Sequence, residues 1–331
     1  MKSFYNLLKS TDHNSIRVIA AEVEKYVKII KDDLSAMRVG NEFMREDVSE
    51  LKQMIVDQQT RQETCGQEAE KQKLKEWITK CDPIETYQSC LEKASSGSGS
   101  WFLEHEFDRW LERMPDDIPR IMWLRGMSGA GKTTLISLAI EYHQKLQVRY
   151  DMPVLAYFYC SFSAKESQSA ANMLGSYIAQ LCDQIPGLVD TVKSLQTEFK
   201  CRKSSEPKSL PIGDLEKTIQ SACGMTRKVV LYLDAPNESD TSDEILDTLS
   251  KLVSSNSNLQ LLVSSTHDLD LHRLLQLCPW VDTVEMSSRK IDHDIYSYID
   301  GKIHQERRLR RLPTHLQNMI RETLANNAHG S

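Results

Sequence analysis

The sequence predicts an α/β fold: a three-layer sandwich built on a parallel sheet, behind a long helical N-terminal segment. Three observations carry this. A short apolar run, a glycine-rich loop and helix-forming residues follow one another over 121–140. Apolar strands then alternate with helical stretches to about residue 286, and parallel strands need such crossovers. Over residues 16–55 apolar side chains recur at steps of three and four, the spacing of a helix face.

The loop reads Gly126-Met127-Ser128-Gly129-Ala130-Gly131-Lys132-Thr133-Thr134, the pattern G-x-x-x-x-G-K-[ST] of a phosphate-binding loop. Its glycines let successive N–H groups converge on one anion. Gly126, Ser128, Gly129, Ala130, Gly131, Lys132, Thr133 and Thr134 are therefore the candidate nucleotide-binding residues. Lys132 would reach the β- and γ-phosphates, and the Thr133 hydroxyl would hold Mg²⁺. Before the loop, Ile121–Leu124 reads as a buried strand; after it, Leu135–Ile140 reads as a helix whose N-terminus faces the anion. The predicted class is thus a P-loop NTPase. Ser128 lacks the G-x-S-x-G frame of a nucleophile.

Further strands are expected at 153–160, 229–234, 259–264 and 281–286, and helices at 167–185, 215–223 and 243–254, with a loop at 201–213. The strand Val229–Asp234 ends in a carboxylate, the second element such a site needs; Asp234 would orient Mg²⁺ and, with Thr133, completes the metal pair. From Asp292 onward the chain reads as helical.

Residues 1–80 contain no proline and carry the apolar series Ile16, Ile19, Val23, Tyr26, Ile30, Leu34, Met37, Met44, Val48, Leu51 and Ile55, with Asn41 on the seam and Gly40 as a candidate break. The pattern fits a coiled-coil seam with one four-four step. It fits equally a self-association stalk, the tail of a signalling module, or two helices folded back on each other. A helix stop at Cys81-Asp82-Pro83 and a Ser/Gly run at 95–100 suggest a linker, with Trp101, Phe102, Phe107 and Trp110 packing on the next domain. The expected organisation is a helical segment at 1–80, a linker and aromatic anchor at 81–118, the NTPase domain at 119–288, and the start of a helical lid at 289–331.

Composition excludes several classes. Among 331 residues 40% are apolar and 27% charged, as in a globular protein. No apolar run is long enough to span a membrane, and the N-terminus lacks a signal-peptide core, so a cytoplasmic protein is expected. Eight cysteines include no C-x-x-C pair, which argues against zinc and dithiol chemistry, and no His cluster suggests a metal site. Residues 1–80 are neutral, 81–300 carry a net −10 and 301–331 a net +4. An acidic centre is a poor surface for nucleic acid. The basic run Arg307-Arg308-Leu309-Arg310-Arg311 reads as a solvated helix face rather than a nuclear or nucleic-acid signal. No repeat of 20–50 residues is present.

The run Gly97-Ser98-Gly99-Ser100-Trp101-Phe102-Leu103, then Phe107 and Trp110-Leu111, then the strand and phosphate loop, resembles fungal NACHT-type proteins. These are STAND-class signalling NTPases with a nephrocystin-like domain, and the resemblance covers about 75–331. It implies ATP or GTP with Mg²⁺ as ligand, and helices after 289 leading into a lid that this chain only begins, as a fragment or truncated member would. It also implies that Trp101 either approaches the base or packs in the core. Two positions depart from the family pattern. Asn237 stands where a carboxylate would polarise water, leaving Glu238 and Asn237 as the candidate catalytic pair. Ser264-Ser265-Thr266 lacks the arginine expected after that strand, for which Arg273 or Arg289 would have to substitute. The expected function is a nucleotide-binding signalling switch with slow or absent hydrolysis, its N-terminal helices giving self-association or a protein partner. The alternatives are a coiled-coil scaffold that binds nothing and, less in keeping with the acidic centre, an active ATPase or kinase.

Overall fold

The computed structural model describes residues 13–95, 97–113, 120–149, 152–201, 210–266, 281–286 and 288–328. It divides into two compact units, 1–70 and 71–331. The last turns of the N-terminal helix pack into the second unit, so the contact boundary lies before the expected residue 80.

In the first unit the described residues belong to helix α1 (His13–Ile78). The helix is continuous, not a folded-back pair, and it runs through Gly40. One glycine costs a helix only about 1 kcal/mol, which good helix formers on either side outweigh. Val23, Tyr26, Ile30, Leu34 and Met37 of the seam are all exposed. The side chains of Ile16, Ile19, Asn41, Met44, Val48, Leu51 and Ile55 lie outside the described residues.

The second unit is built on a five-stranded parallel sheet: β1 (Ile121–Arg125), β2 (Val154–Tyr159), β3 (Val229–Asp234), β4 (Leu259–Ser265) and β5 (Val281–Glu285), in the order β2-β3-β4-β1-β5. Helices α2 (Ile84–Lys93), α3 (Lys132–Arg149), α4 (Ala170–Leu181), α5 (Leu188–Cys201), α6 (Ile212–Met225), α7 (Ser242–Ser255), α8 (Ser288–Gln305) and α9 (Thr314–Ala328) surround or follow it. Helix α5 has no counterpart among the expected elements; it starts just after Gly187, which takes φ +85° and turns the chain. The loop expected at 201–213 lies largely outside the described residues.

Strand side chains alternate between two cores, as a sheet covered on both faces requires. Ile121, Phe158, Leu231 and Leu261 meet α4 to α7 on one face. Met122, Leu124, Tyr232 and Leu262 meet α3 and the aromatics on the other. The aromatic anchor is a π-turn at Phe102–Phe107 running into a short helix at Asp108–Leu111, with Phe102, Phe107 and Trp110 fully buried. The buried Lys228 ammonium clamps this segment by donating to the carbonyls of Leu111 and Arg113 at 2.6 and 2.7 Å.

The edge strand β2 is closed by side chains. Gln180 pairs with both main-chain groups of Tyr157, accepting from its N–H at 3.0 Å and donating to its carbonyl at 2.8 Å. Gln184 does the same to Leu155, at 3.0 and 2.6 Å. Two carboxamides thus stand where another strand would add, and an open edge is an aggregation hazard.

The end of α1 is fixed to α4. Lys71 and Lys75 both reach Asp183, and a Cβ on Gly175 would lie 2.4 Å from the Ile78 carbonyl oxygen. Only glycine lets the two backbones approach this closely.

Beneath the sheet, His143 is fully buried between Tyr232 Oη, 2.7 Å from Nδ1, and the Pro153 carbonyl, 3.0 Å from Nε2. The carbonyl can only accept, so Nε2 carries the proton and Nδ1 accepts from the tyrosine. Burial, helped by Lys228 and opposed by the Pro153 carbonyl, pushes the imidazole pKa down to about 4. Between pH 6.5 and 4 the unfolded chain therefore binds a proton that the folded chain refuses, and stability falls as pH falls. The stability advantage of wild type over His143→Asn is expected to shrink by about 2 kcal/mol from pH 7.5 to pH 5 in urea unfolding. A pH-independent difference would show that His143 does not carry this linkage.

Candidate functional site

The site lies at the C-terminal ends of β1, β3 and β4, where an open parallel sheet exposes its strand ends. Leaving β1, the chain must reverse into α3 within a few residues. Gly129 and Gly131 make this possible, with φ +78° and +86°. A Cβ at either would meet nothing within 4 Å, so glycine is required there for its backbone conformation rather than for space. The base of the loop is tied down: Gly126 N–H donates to the Ser265 carbonyl at 3.3 Å, and Met286 N–H to the Arg125 carbonyl at 2.7 Å. The helical ladder of α3 begins with Leu135 N–H on the Gly131 carbonyl, so the preceding amides lie in the helix's N-terminal turn.

Lys132 is buried, and its ammonium donates to the carbonyls of Gly126 and Met127 at 2.9 and 2.7 Å. Burial lowers its pKa, while Asp234 and Glu238 oppose the shift. Asp234, 3% exposed, accepts from the Ser264 and Thr133 hydroxyls. Burial pushes its carboxyl pKa up to about 6, with Glu238 adding to the rise and the two hydroxyls and Lys132 opposing it. The register that places Asp234 opposite Ser264 brings these groups together. A wholly buried carboxylate touching a threonine hydroxyl, with an ammonium nearby, is a donor set suited to a hard divalent cation. The residues present therefore fit a Mg²⁺–polyphosphate. Thr133 and Asp234 would hold the metal; Lys132 and the loop amides would hold the phosphates.

After Asp234 the chain turns through Ala235 in the left-handed region, φ 51°, into a 3₁₀ turn at Pro236–Glu238. This turn separates the two candidate catalytic residues. Glu238 lines a cavity of about 590 Å³ together with Thr133 and Asp234. Asn237 is turned toward β4, its Oδ1 accepting from Thr266 N–H at 3.4 Å. Ser265 Oγ accepts from Trp123 Nε1 at 2.8 Å, so among the described residues the end of β4 supplies hydroxyls and no cation. Arg273 lies outside the described residues, as does the side chain of Arg289.

A second cavity, about 550 Å³, opens on the other side of the loop. Ser128 to Gly131 and Thr134 form its floor, and Ser98, Gly99, Asp294 and Tyr298 its sides. Sequence reasoning missed this wall. The Ser/Gly stretch that composition suggests is a linker is instead a turn, with Gly97 and Gly99 at φ +82° and +76°. A Cβ on Gly99 would strike Leu135 at 2.5 Å. Asp294 of α8 accepts from Gly99 N–H at 3.0 Å and Trp101 Nε1 at 3.2 Å. Trp101 thus packs on Phe102 and ties the turn to α8; it does not line the cavity. Paired Gly residues at alternate positions were the available signal, equally compatible with flexibility and with left-handed turns.

Residues 97–266 match the model of the nephrocystin 3 N-terminal family. The chain belongs to that family. The nephrocystin-type region includes the turn at 97–100, the aromatic anchor, the loop and β1 to β4. No curated protein matches the chain. Among solved structures it is similar to PCH-2 of C. elegans, at 14% identity and TM-score 0.41, covering 76% of this chain and 62% of that one. It is also similar to the ORC2 protein of Aeropyrum pernix, solved in ADPNP–ADP complexes, at 11% and 0.40, covering 62% and 53%. A third is Cdc6p of Pyrobaculum aerophilum, at 13% and 0.36, covering 66% and 53%. The chain spans 62%, 53% and 53% of the length of these three. All are distant, and what their names say they bind belongs to them. No helix among the described residues is long and apolar enough to cross a membrane.

The burial of Asp234 sets this nephrocystin-type site against the stability of its own fold. Without metal, Asp234→Asn is expected to stabilise the chain by roughly 1–3 kcal/mol at pH 7.5, since it removes a desolvated charge. Thermal unfolding in EDTA checks this, and a lowered Tm would show that the buried carboxylate does not burden the fold.

Proposed function

We propose that the chain is a nucleotide-dependent switch of the NACHT type, binding ATP or GTP with Mg²⁺. One observation carries the reading: Lys132, Thr133 and Asp234 converge beneath the two left-handed glycines, between a cavity sized for a nucleoside and one at the terminal-phosphate side. The loop amides and Lys132 hold the polyphosphate, Thr133 and Asp234 hold Mg²⁺, and the nucleoside sits between the 97–99 turn and α8. The bound metal would neutralise phosphate charge and orient its oxygens.

Hydrolysis is slow or absent in this reading. Glu238 is the remaining acid at the catalytic turn, and Asn237 is engaged with the backbone of Thr266. A missing general base is worth roughly 10²–10⁴-fold in rate. Binding and slow turnover together suit a protein whose bound state must persist. Output would then pass through α1, whose exposed apolar stripe fits self-association or a partner helix of the same character. A cytosolic location agrees with such a role.

The test is a calorimetric titration of the full chain with ATP and GTP, with and without Mg²⁺. Wild type is expected to bind one of them in a Mg²⁺-dependent manner, and Lys132→Ala to weaken it by roughly a hundredfold, as removal of a desolvated charge contact does. A wild-type chain that binds neither would leave only the scaffold reading. Phosphate release at several per second, abolished by Glu238→Gln, would overturn the slow-hydrolysis part.

A further inference from the structure

The cavity at the terminal-phosphate side has one wall that the phosphate loop and β3 do not supply. It is the short segment joining α1 to α2 together with the first turn of α2, where Lys80, Asp82 and Glu85 line the same space as Thr133, Asp234 and Glu238. Glu166 contributes from the turn after β2. The charged lining is thus almost wholly acidic, and Lys80 is its one cation among the described residues. Its side chain is exposed and makes no ion pair among them. Lys132 does not line this cavity, and among the described residues the end of β4 presents Ser264, Ser265 and Thr266.

A terminal phosphate entering this space would face Asp82, Glu85 and Glu166 as well as the metal-binding pair. Such an anion needs a counter-charge on that side, and Lys80 is the group placed to supply it. We propose that Lys80 is the specificity-determining cation that distinguishes a nucleoside triphosphate from a diphosphate. This rests on the nucleotide-binding reading above.

The position of Lys80 has a consequence for signalling. It follows directly on the anchored end of α1. Asp183 holds Lys71 and Lys75, the Ile78 carbonyl lies against Gly175, and Thr79 Oγ1 donates to the Asn172 carbonyl at 3.3 Å. The residue that reads the terminal phosphate is therefore covalently continuous with the helix proposed to carry the output. A ligand shifts a conformational equilibrium only through differential affinity, and a contact made by the triphosphate alone supplies that difference at the helix exit.

The experiment uses the full chain with Mg²⁺ and measures Kd for ADP and AMP-PNP, and for GDP and GMP-PNP in parallel. Lys80→Ala is expected to weaken the triphosphate analogue roughly tenfold, the effect of losing a hydrogen bond to a charged group, and to leave the diphosphate within about twofold. Lys80→Arg is expected to recover most of the loss. A triphosphate-to-diphosphate ratio unchanged in Lys80→Ala overturns the proposal while leaving nucleotide binding intact, and so does an equal loss for both ligands. Failure of wild type to bind either pair overturns the function proposed above and this inference with it.

Discussion

The chain reversal between β1 and α3 is the constraint on which the site depends. A strand that ends in Arg125 and a helix that starts at Lys132 leave six positions in which the backbone must turn and aim its amides outward. Two of those positions need positive φ, at a cost of roughly 1–2 kcal/mol each for any residue with a Cβ. Glycine removes that cost at Gly129 and Gly131. The Lys132 ammonium then folds back onto the Gly126 and Met127 carbonyls and keeps the loop wound. Everything chemical in the molecule is placed relative to that turn.

The second unit protects the sheet that carries the turn. One edge strand, β2, has its outward main-chain groups matched pair by pair by Gln180 and Gln184. Gln180 sits in the last turn of α4 and Gln184 in the turn just beyond it, and the strand residues they serve are two apart, on the same edge of β2. The same α4 receives the end of α1 at Gly175, so edge closure and helix anchoring are properties of one element.

Features with a local cause could be read from the sequence. The loop, the strands on either side of it and the carboxylate ending β3 each have their reason within a few residues. So did the aromatics of 101–110, three of which are fully buried, since four large rings near one another favour a packed surface over water. The features that could not be read depend on long-range placement. Nothing in the pattern S-S-G-S-G-S tells a linker from a turn packed on Leu135, because what decides is a contact across the fold. Nor does the order Asn237-Glu238 show that one side chain would bind β4 and the other face the cavity; the left-handed φ at Ala235 determines that. Lys80 carries no local signal in the sequence, and only the path of the chain, which sets it with Thr133 and Asp234 in the lining of one cavity, singles it out. Gly40 shows the converse, a candidate break from residue type where the cost was too small to make one.

The site also shows why binding and turnover can separate within one fold. The groups that would grip phosphate and metal, Lys132, Thr133 and Asp234, are held by the backbone of the loop and by the pairing of β3 with β4. They persist as long as the sheet does. The groups that would drive hydrolysis sit on the 3₁₀ turn beyond Ala235 and at the end of β4, where single side chains can change without disturbing a strand. Asn237 lies on that turn, and its amide oxygen accepts from Thr266 N–H. A side-chain change at this turn leaves the strand pairing in place, whereas a residue with a Cβ at Gly129 or Gly131 strains the loop itself. The sheet thus fixes the groups at its strand ends and leaves the turn beyond Ala235 as the part of the site whose side chains are least tied to strand pairing.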